Sequence, residues 1–178
     1  EFSDPGIEVL RQRGREHEQN FLAVLRGDGA RISDLSSLFD QGHGLARYAL
    51  HAAKTVEAMK AGCDVIYQGF LFDGSWLGYP DFLRKVERPS RLGAWSYEVV
   101  DTKLAREARP GALLQVLVYA DLLAAVQGVV PESVHLVLGG PKAPLVSFRV
   151  SHYAAYLRAI RKRFLEWIAA APAELPLG

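Results

Sequence analysis

The chain has little cysteine, little net charge and no long uninterrupted apolar run. Cys63 is the single cysteine, which excludes a disulfide framework within this chain and fits a reducing, cytoplasmic setting. Gly, Pro or charged residues interrupt each apolar stretch before the roughly 20 residues that a bilayer requires, so we expect no membrane span. With 21 basic and 20 acidic residues, overall charge gives no argument for nucleic-acid binding, and only a local basic groove could supply one.

The length of 178 residues suits one domain with a substantial core, and no internal repeat is visible. Glu1-Phe2 resembles a cloning remnant. We therefore expect residues 1–178 to form a single domain excised from a longer protein.

A hairpin and a third strand are the strongest local predictions. The apolar runs 65–72 and 76–86 flank Asp73-Gly74, a strong turn signal between β-rich segments. Residues 95–104 read as a further strand. The remaining segments predict helices over 7–26, 45–61, 113–126 and from a cap at Ser151 to about 170, strands over 134–138 and 145–150, and a loop with a possible short strand over 31–44.

Five polar residues fall where these elements would bring them together. Asp81 lies in the second strand of the predicted hairpin, and the period of two places Asp101 and Lys103 on one face of the next strand. Gln115 and Tyr119, four residues apart, share a face of the following helix. Two carboxylates, a lysine and this pair suit metal-dependent cleavage of a phosphodiester bond.

This order of motifs resembles the PD-(D/E)XK nuclease superfamily, and within it the RecB-like branch, over nearly the whole chain. The segment 14–18, Gly-Arg-Glu-His-Glu, is similar to the first motif of that branch. The resemblance implies a restriction-endonuclease-like αβββαβ core, with a small mixed sheet flanked by helices. It also implies a deoxyribonuclease of the exonuclease or flap type that acts on single-stranded DNA ends in repair or recombination, beside a helicase domain or subunit.

The resemblance also assigns roles. Asp81, Asp101, the Thr102 carbonyl and His17 would bind Mg²⁺ or Mn²⁺, because both ions prefer oxygen ligands and Mn²⁺ also accepts imidazole. Lys103 would orient the attacking water or stabilise charge on phosphorus. The groups that would contact the DNA backbone, or hold the lysine, are Gln115, Tyr119 and, near the hairpin, Arg84. Glu18 is a candidate ligand for a second metal.

Other interpretations stay open. Asp101 and Lys103 could form a plain salt bridge, and His17 could lie on a solvated helix face. The domain could be a catalytically inactive module that binds DNA, or a metal-dependent nucleotide phosphohydrolase. Because an iron–sulfur cluster needs four thiolates and Cys63 is alone, a cluster like those of some RecB-like nucleases is expected only in a longer parent protein.

Overall fold

Four α-helices and eight β-strands make up the part of the chain that the computed structural model describes, residues 5–41 and 44–170. The helices are α1 (Pro5–Gly27), α2 (Leu45–Lys60), α3 (Pro110–Gln127) and α4 (Ala154–Ala170). The strands are β1 (Ile32–Asp34), β2 (Val65–Tyr67), β3 (Leu71–Phe72), β4 (Leu77–Gly78), β5 (Phe82–Val86), β6 (Ser96–Lys103), β7 (Ser133–Leu138) and β8 (Leu145–Arg149). Glu1-Phe2 lies outside the described residues.

Six strands form one mixed sheet in the order β1-β2-β5-β6-β7-β8. The pairs β1/β2 and β6/β7 are parallel, and the other three are antiparallel. Helix α1 covers one face, where Leu22 packs with Phe82 and Val100. Helix α3 covers the other, where Leu117 packs with Val99. The structure therefore confirms the predicted mixed α/β class, with a mixed sheet flanked by helices.

The predicted hairpin forms, but it is interrupted in the middle. The outer ladder pairs β2 with β5 and the inner ladder pairs β3 with β4, and both keep the register of one continuous hairpin. Residues 68–70 and 79–81 lie between the two ladders. Asp81, which was predicted to lie within the second strand, instead lies in this interruption, immediately before β5.

Backbone conformation at the interruption explains why the strands break there. Gln68 has a φ of 54°, a left-handed conformation that a non-glycine residue rarely adopts. Its N–H still donates to the Asp81 carbonyl at 2.7 Å, and the Gly69 N–H donates to the Pro80 carbonyl at 3.1 Å. Pro80 has no N–H to return. The chain therefore turns out of the sheet while the two strands stay joined.

One other predicted segment is confirmed, and another differs from the structure. Segment 31–44 contains β1 and a short 3₁₀ helix over Ser36–Gln41, so the possible strand is present. Ser151 was expected to cap the last helix, but it lies inside a 3₁₀ turn, Val150–His152, and α4 begins at Ala154. The turn forms because Val150 and Tyr153 close a hydrogen bond of 3.0 Å before the helix starts.

Helix α3 is, within the described residues, the one helix whose length and hydropathy match those of a membrane span. It begins with Pro110 and ends at Gln127, and the cap Gly128 has a φ of 75°, the left-handed conformation that ends many helices. Its buried residues include Leu117, Ala120 and Leu123, which pack in the same core as strand residues of the sheet. The buried core helix of a globular domain can match a membrane-spanning helix in length and composition, and the packing of α3 against the sheet is that of a core helix.

Close contact between α3 and β4 fixes the position of the interruption. A Cβ atom added to Gly78 would lie 2.7 Å from Cδ1 of Tyr119 and 3.1 Å from Cδ1 of Leu122. Such a distance is shorter than side chains tolerate, so β4 can lie this close to α3 only with glycine at position 78. The residues that follow, up to Asp81, are thereby held against the helix.

We expect Gly78→Ala to lower the free energy of unfolding by about 1–3 kcal/mol, the usual cost of overpacking a close contact. Gly111→Ala is the matched control, because nothing lies within 4 Å of the Cβ position at Gly111. Urea denaturation of both variants measures the difference. Equal stability of the two variants would contradict the proposed close contact.

Candidate active site

Asp81 and Asp101 lie opposite each other where β5 begins. Phe82 pairs with Val100 in the β5/β6 ladder, so the preceding Asp81 and the following Asp101 continue the same register. The charge of Asp101 acts on Asp81, so the two carboxylates lie near each other. Asp101 is only 1% exposed, and Asp81 is half-buried. Two carboxylates are therefore held together, partly shielded from water.

Thr102 holds the Asp81 carboxylate in place. Its backbone N–H and its Oγ1 hydroxyl both donate to Asp81 Oδ2, each at 2.7 Å. In a strand the N–H and C=O of one residue point to the same side. The Thr102 carbonyl, a predicted metal ligand, is therefore directed towards the side of β6 where Asp81 lies.

Lys103 is next to both carboxylates. It shares a face of β6 with Asp101, and its Nζ donates a hydrogen bond to Asp101 Oδ2. Burial by itself would lower the pKa of Lys103, but the negative charges of Asp101 and Asp81 outweigh burial and raise it. The ammonium group therefore stays charged at neutral pH.

Burial and nearby negative charge raise the proton affinity of both carboxylates. Burial, followed by repulsion from Asp101 and Glu18, raises the pKa of Asp81 to about 7, although the hydrogen bonds from Thr102 oppose the shift. Burial also raises the pKa of Asp101, against the opposing effect of Lys103. Like charges in a partly dry site disfavour ionisation. A bound cation would remove that cost.

Gln115 and Tyr119 form a hydrogen-bonded pair on α3. Gln115 Nε2 donates to the Tyr119 hydroxyl at 2.8 Å. Burial raises the pKa of Tyr119, and the charges of Asp101 and Lys103 act on the same hydroxyl. The backbone N–H of Tyr79 also bonds to this hydroxyl. Tyr119 therefore joins α3, the hairpin interruption and the carboxylate pair.

Helix α1 contributes Glu18, which acts electrostatically on both Asp81 and Asp101. Gln68, the residue with the left-handed backbone, donates its Nε2 to Glu18 Oε1. The buried Tyr67 hydroxyl also bonds to Glu18. Sequence reasoning missed Gln68, and the only available signal was a polar residue between a buried strand and Gly69.

His17 precedes Glu18 on α1 and contacts strand β7. Its Nε2 lies 3.1 Å from the Val137 carbonyl, so that nitrogen carries the proton and donates. The Nδ1 nitrogen is then the one left to face a cation, and a second-shell hydrogen bond of this kind orients histidine ligands in metal sites. Its role as a ligand stays a prediction.

Arg84 lies apart from the other predicted site residues. It pairs with Glu98 in the β5/β6 ladder and therefore faces the opposite side of the sheet from Asp101. Its Nη2 lies 3.7 Å from Glu98 Oε2 and 3.1 Å from His135 Nε2. His135 Nδ1 in turn lies 2.8 Å from the Ser147 hydroxyl. Arg84 thus belongs to a polar ladder across four strands, away from the carboxylates, and its contact with DNA stays a prediction.

Hard oxygen donors dominate the site, and they fit a divalent cation such as Mg²⁺ or Mn²⁺. Within residues 5–41 and 44–170, no three His, Cys, Asp or Glu side chains are already clustered closely enough to hold a metal. The fit rests instead on Asp81 and Asp101, whose mutual repulsion a cation would relieve, with Glu18 beside them. No protein-family model matches the chain, and no curated protein matches it in sequence.

We expect Asp81→Asn to stabilise the metal-free protein by about 1–4 kcal/mol near pH 7, because an amide removes the repulsion but still accepts from Thr102. The gain should appear between about pH 4 and pH 7, since there the unfolded carboxyl is ionised while the folded one prefers its proton. Asp101→Asn is the contrast, because it removes the partner of Lys103 and should not stabilise. Urea titrations in EDTA across this pH range measure both, and a destabilised Asp81→Asn protein would contradict the repulsion.

A second prediction separates His17 from Glu18. If His17 is a ligand, His17→Ala should weaken Mn²⁺ binding at least about tenfold and Mg²⁺ binding much less, because imidazole suits Mn²⁺ better. Glu18→Gln should weaken both ions alike. Calorimetric titration of each ion into the wild type, His17→Ala and Glu18→Gln measures the ratio of Mn²⁺ affinity to Mg²⁺ affinity in each protein. Unchanged Mn²⁺ affinity in His17→Ala would remove the histidine from the ligand set.

Proposed function

We propose that this chain is a Mg²⁺- or Mn²⁺-dependent deoxyribonuclease of the RecB-like branch of PD-(D/E)XK nucleases. The observation that carries the proposal is the pair Asp81 and Asp101, opposed across two strands, with Lys103 on the same face. The element order also supports it. Strands β2, β5 and β6 form an antiparallel meander, and α3 crosses over to β7, which is parallel to β6, as expected of a restriction-endonuclease-like core.

The side chains suggest how the reaction would proceed. Asp81, Asp101 and the Thr102 carbonyl would hold the cation, with His17 or Glu18 from α1. A cation bound there would polarise the scissile phosphate and make a nearby water a stronger nucleophile. Lys103 would orient that water through Nζ and stabilise negative charge developing on the phosphoryl oxygens. Thr102 keeps Asp81 fixed, and Tyr119 holds the hairpin interruption against α3.

Aromatic side chains beside Asp81 support a single-stranded substrate. The Tyr79 ring lies 4.7 Å from Phe70, and the Tyr48 ring of α2 lies 5.7 Å from Phe70. Tyr48 and Tyr79 are both half-buried, so neither residue is closed off from solvent. Aromatic rings that reach solvent stack on unpaired bases independently of sequence. The substrate class we propose is therefore DNA with single-stranded ends, cut by an exonuclease or flap-type activity.

The cellular setting is part of the same proposal. A nuclease that acts on single-stranded ends needs an enzyme that opens the duplex, so the partner we propose is a helicase domain or subunit in DNA repair or recombination. The half-buried Cys63 is a free thiol, which suits a reducing cytoplasm.

A second candidate function is a catalytically inactive module that binds DNA. The ion pair between Lys103 and Asp101 favours it, because the lysine is already bonded to a carboxylate. A DNA-cleavage assay separates the two functions, because an inactive module would bind DNA in EDTA and would leave it uncut when metal is added.

The decisive experiment is incubation with labelled single- and double-stranded DNA, with Mn²⁺, Mg²⁺ or EDTA. We expect metal-dependent cleavage of the single strands, and Asp101→Ala or Lys103→Ala should reduce it at least about 100-fold. Asp28→Ala and Lys60→Ala, at exposed positions, are the matched controls. Unchanged cleavage by Asp101→Ala would show that the site assignment is wrong, and no cleavage by the wild type would favour the inactive module.

A further inference from the structure

We propose that the two loops that follow β6 and β7 bind the phosphate backbone of the DNA strand leaving the site, with Arg106 and Lys142 as the contacts. These are residues 104–109 and 139–144, called here the β6 and β7 loops. The inference rests on the proposed function and adds the path of the substrate. Four observations support it, namely position, rigidity, shape and charge.

Both loops lie at the same edge of the sheet as the site. Lys103 is the last residue of β6 and pairs with Leu138, the last residue of β7. Because β6 and β7 are parallel, their carboxyl ends meet at one edge, and the loops leave side by side. Arg106 follows Lys103 by three residues, so a strand held at Lys103 would next meet this surface.

The loops are fixed against each other through their backbones. The Gly139 N–H donates to the Ala105 carbonyl at 3.0 Å. A Cβ atom at Gly139 would lie only 2.0 Å from the Leu104 carbonyl oxygen. No side chain fits at position 139 without moving the backbone, and the two loops therefore form one surface.

That surface carries shallow, open recesses. One of about 310 Å³ is lined by Arg106 of the β6 loop and by Lys142, Gly139, Gly140, Pro141 and Pro144 of the β7 loop. A second recess of about 390 Å³ continues along the β6 loop to Arg109. Shallow recesses of this size admit phosphate groups of an extended strand.

The surface is basic in a chain with a net charge of only +1. The two loops contain Arg106, Arg109 and Lys142 against one acid, Glu107. All three cations are exposed, and none has a salt-bridge partner among the described residues. By contrast, Arg15 on α1 is paired with Glu8. Unpaired cations beside a polyanion site supply the salt-dependent part of nucleic-acid affinity.

The opposite side of the site carries the aromatic rings. In the sheet order, β2 and β5 lie on one side of Asp101 and β7 lies on the other. Tyr79 precedes β5, whereas Lys142 follows β7. A strand crossing this edge would therefore stack its bases near Tyr79 and place its phosphates over the two loops.

The test is the salt dependence of binding to a fluorescent single-stranded oligonucleotide in EDTA. Arg106→Gln with Lys142→Gln should weaken binding about tenfold or more at moderate salt. The slope of log affinity against log salt should fall by about 0.7 for each cation removed. Lys60→Gln is the matched control. Lys60 is exposed at the end of α2, shortly before β2 begins, and the candidate site lies at the other end of β2.

The outcomes separate this inference from the proposed function. If the wild type binds and cuts DNA but the double variant keeps the wild-type affinity and slope, the loop surface is wrong and the nuclease stands. If the wild type binds without cutting and the slope still falls, the loop surface stands and the nuclease does not. If the wild type binds no DNA, both are overturned.

Discussion

The opposition of Asp81 and Asp101 is the constraint on which the rest of the site depends. Two carboxylates this close repel each other, and burial adds to the cost by raising the pKa of both groups. The fold meets that cost with directed hydrogen bonds rather than by separating the charges. Thr102 donates two of them to Asp81, and Lys103 pairs with Asp101. The two carboxylates are thus kept in a destabilising arrangement, a common feature of functional sites.

Holding that arrangement requires a break in a regular element. Asp81 lies between the two ladders of the hairpin, although its carbonyl still accepts from the Gln68 N–H. The left-handed Gln68 and the imino acid Pro80 end the regular ladder at this point, and the Gly78 contact with Tyr119 fixes β4 against α3. Local backbone strain at a site is maintained only when the surrounding packing determines it, and here the packing is with a buried helix.

The two faces of the sheet separate the chemistry from a structural polar ladder. Asp101 and Lys103 alternate along β6 with Glu98, which points to the other face and bonds His135 at 2.8 Å. Burial would raise the pKa of Glu98, but hydrogen bonds from His135 and from the Ser133 N–H lower it. Hydrogen bonds on one face outweigh burial and lower the pKa of Glu98, whereas on the other face burial outweighs the partners of Asp81 and Asp101 and raises the pKa of both. That difference distinguishes the candidate site from an ordinary buried ion pair.

The sequence by itself determined the mixed α/β class, most strand and helix positions, and the shared face of Asp101 and Lys103, because periodicity and Asp-Gly or Gly punctuation are local signals. Tertiary structure alone decided that Gln68 supports Glu18, that Arg84 faces away from the site, and that the Ser151 turn precedes α4. Side-chain contacts between distant segments and breaks in a strand depend on tertiary packing, which local patterns do not encode.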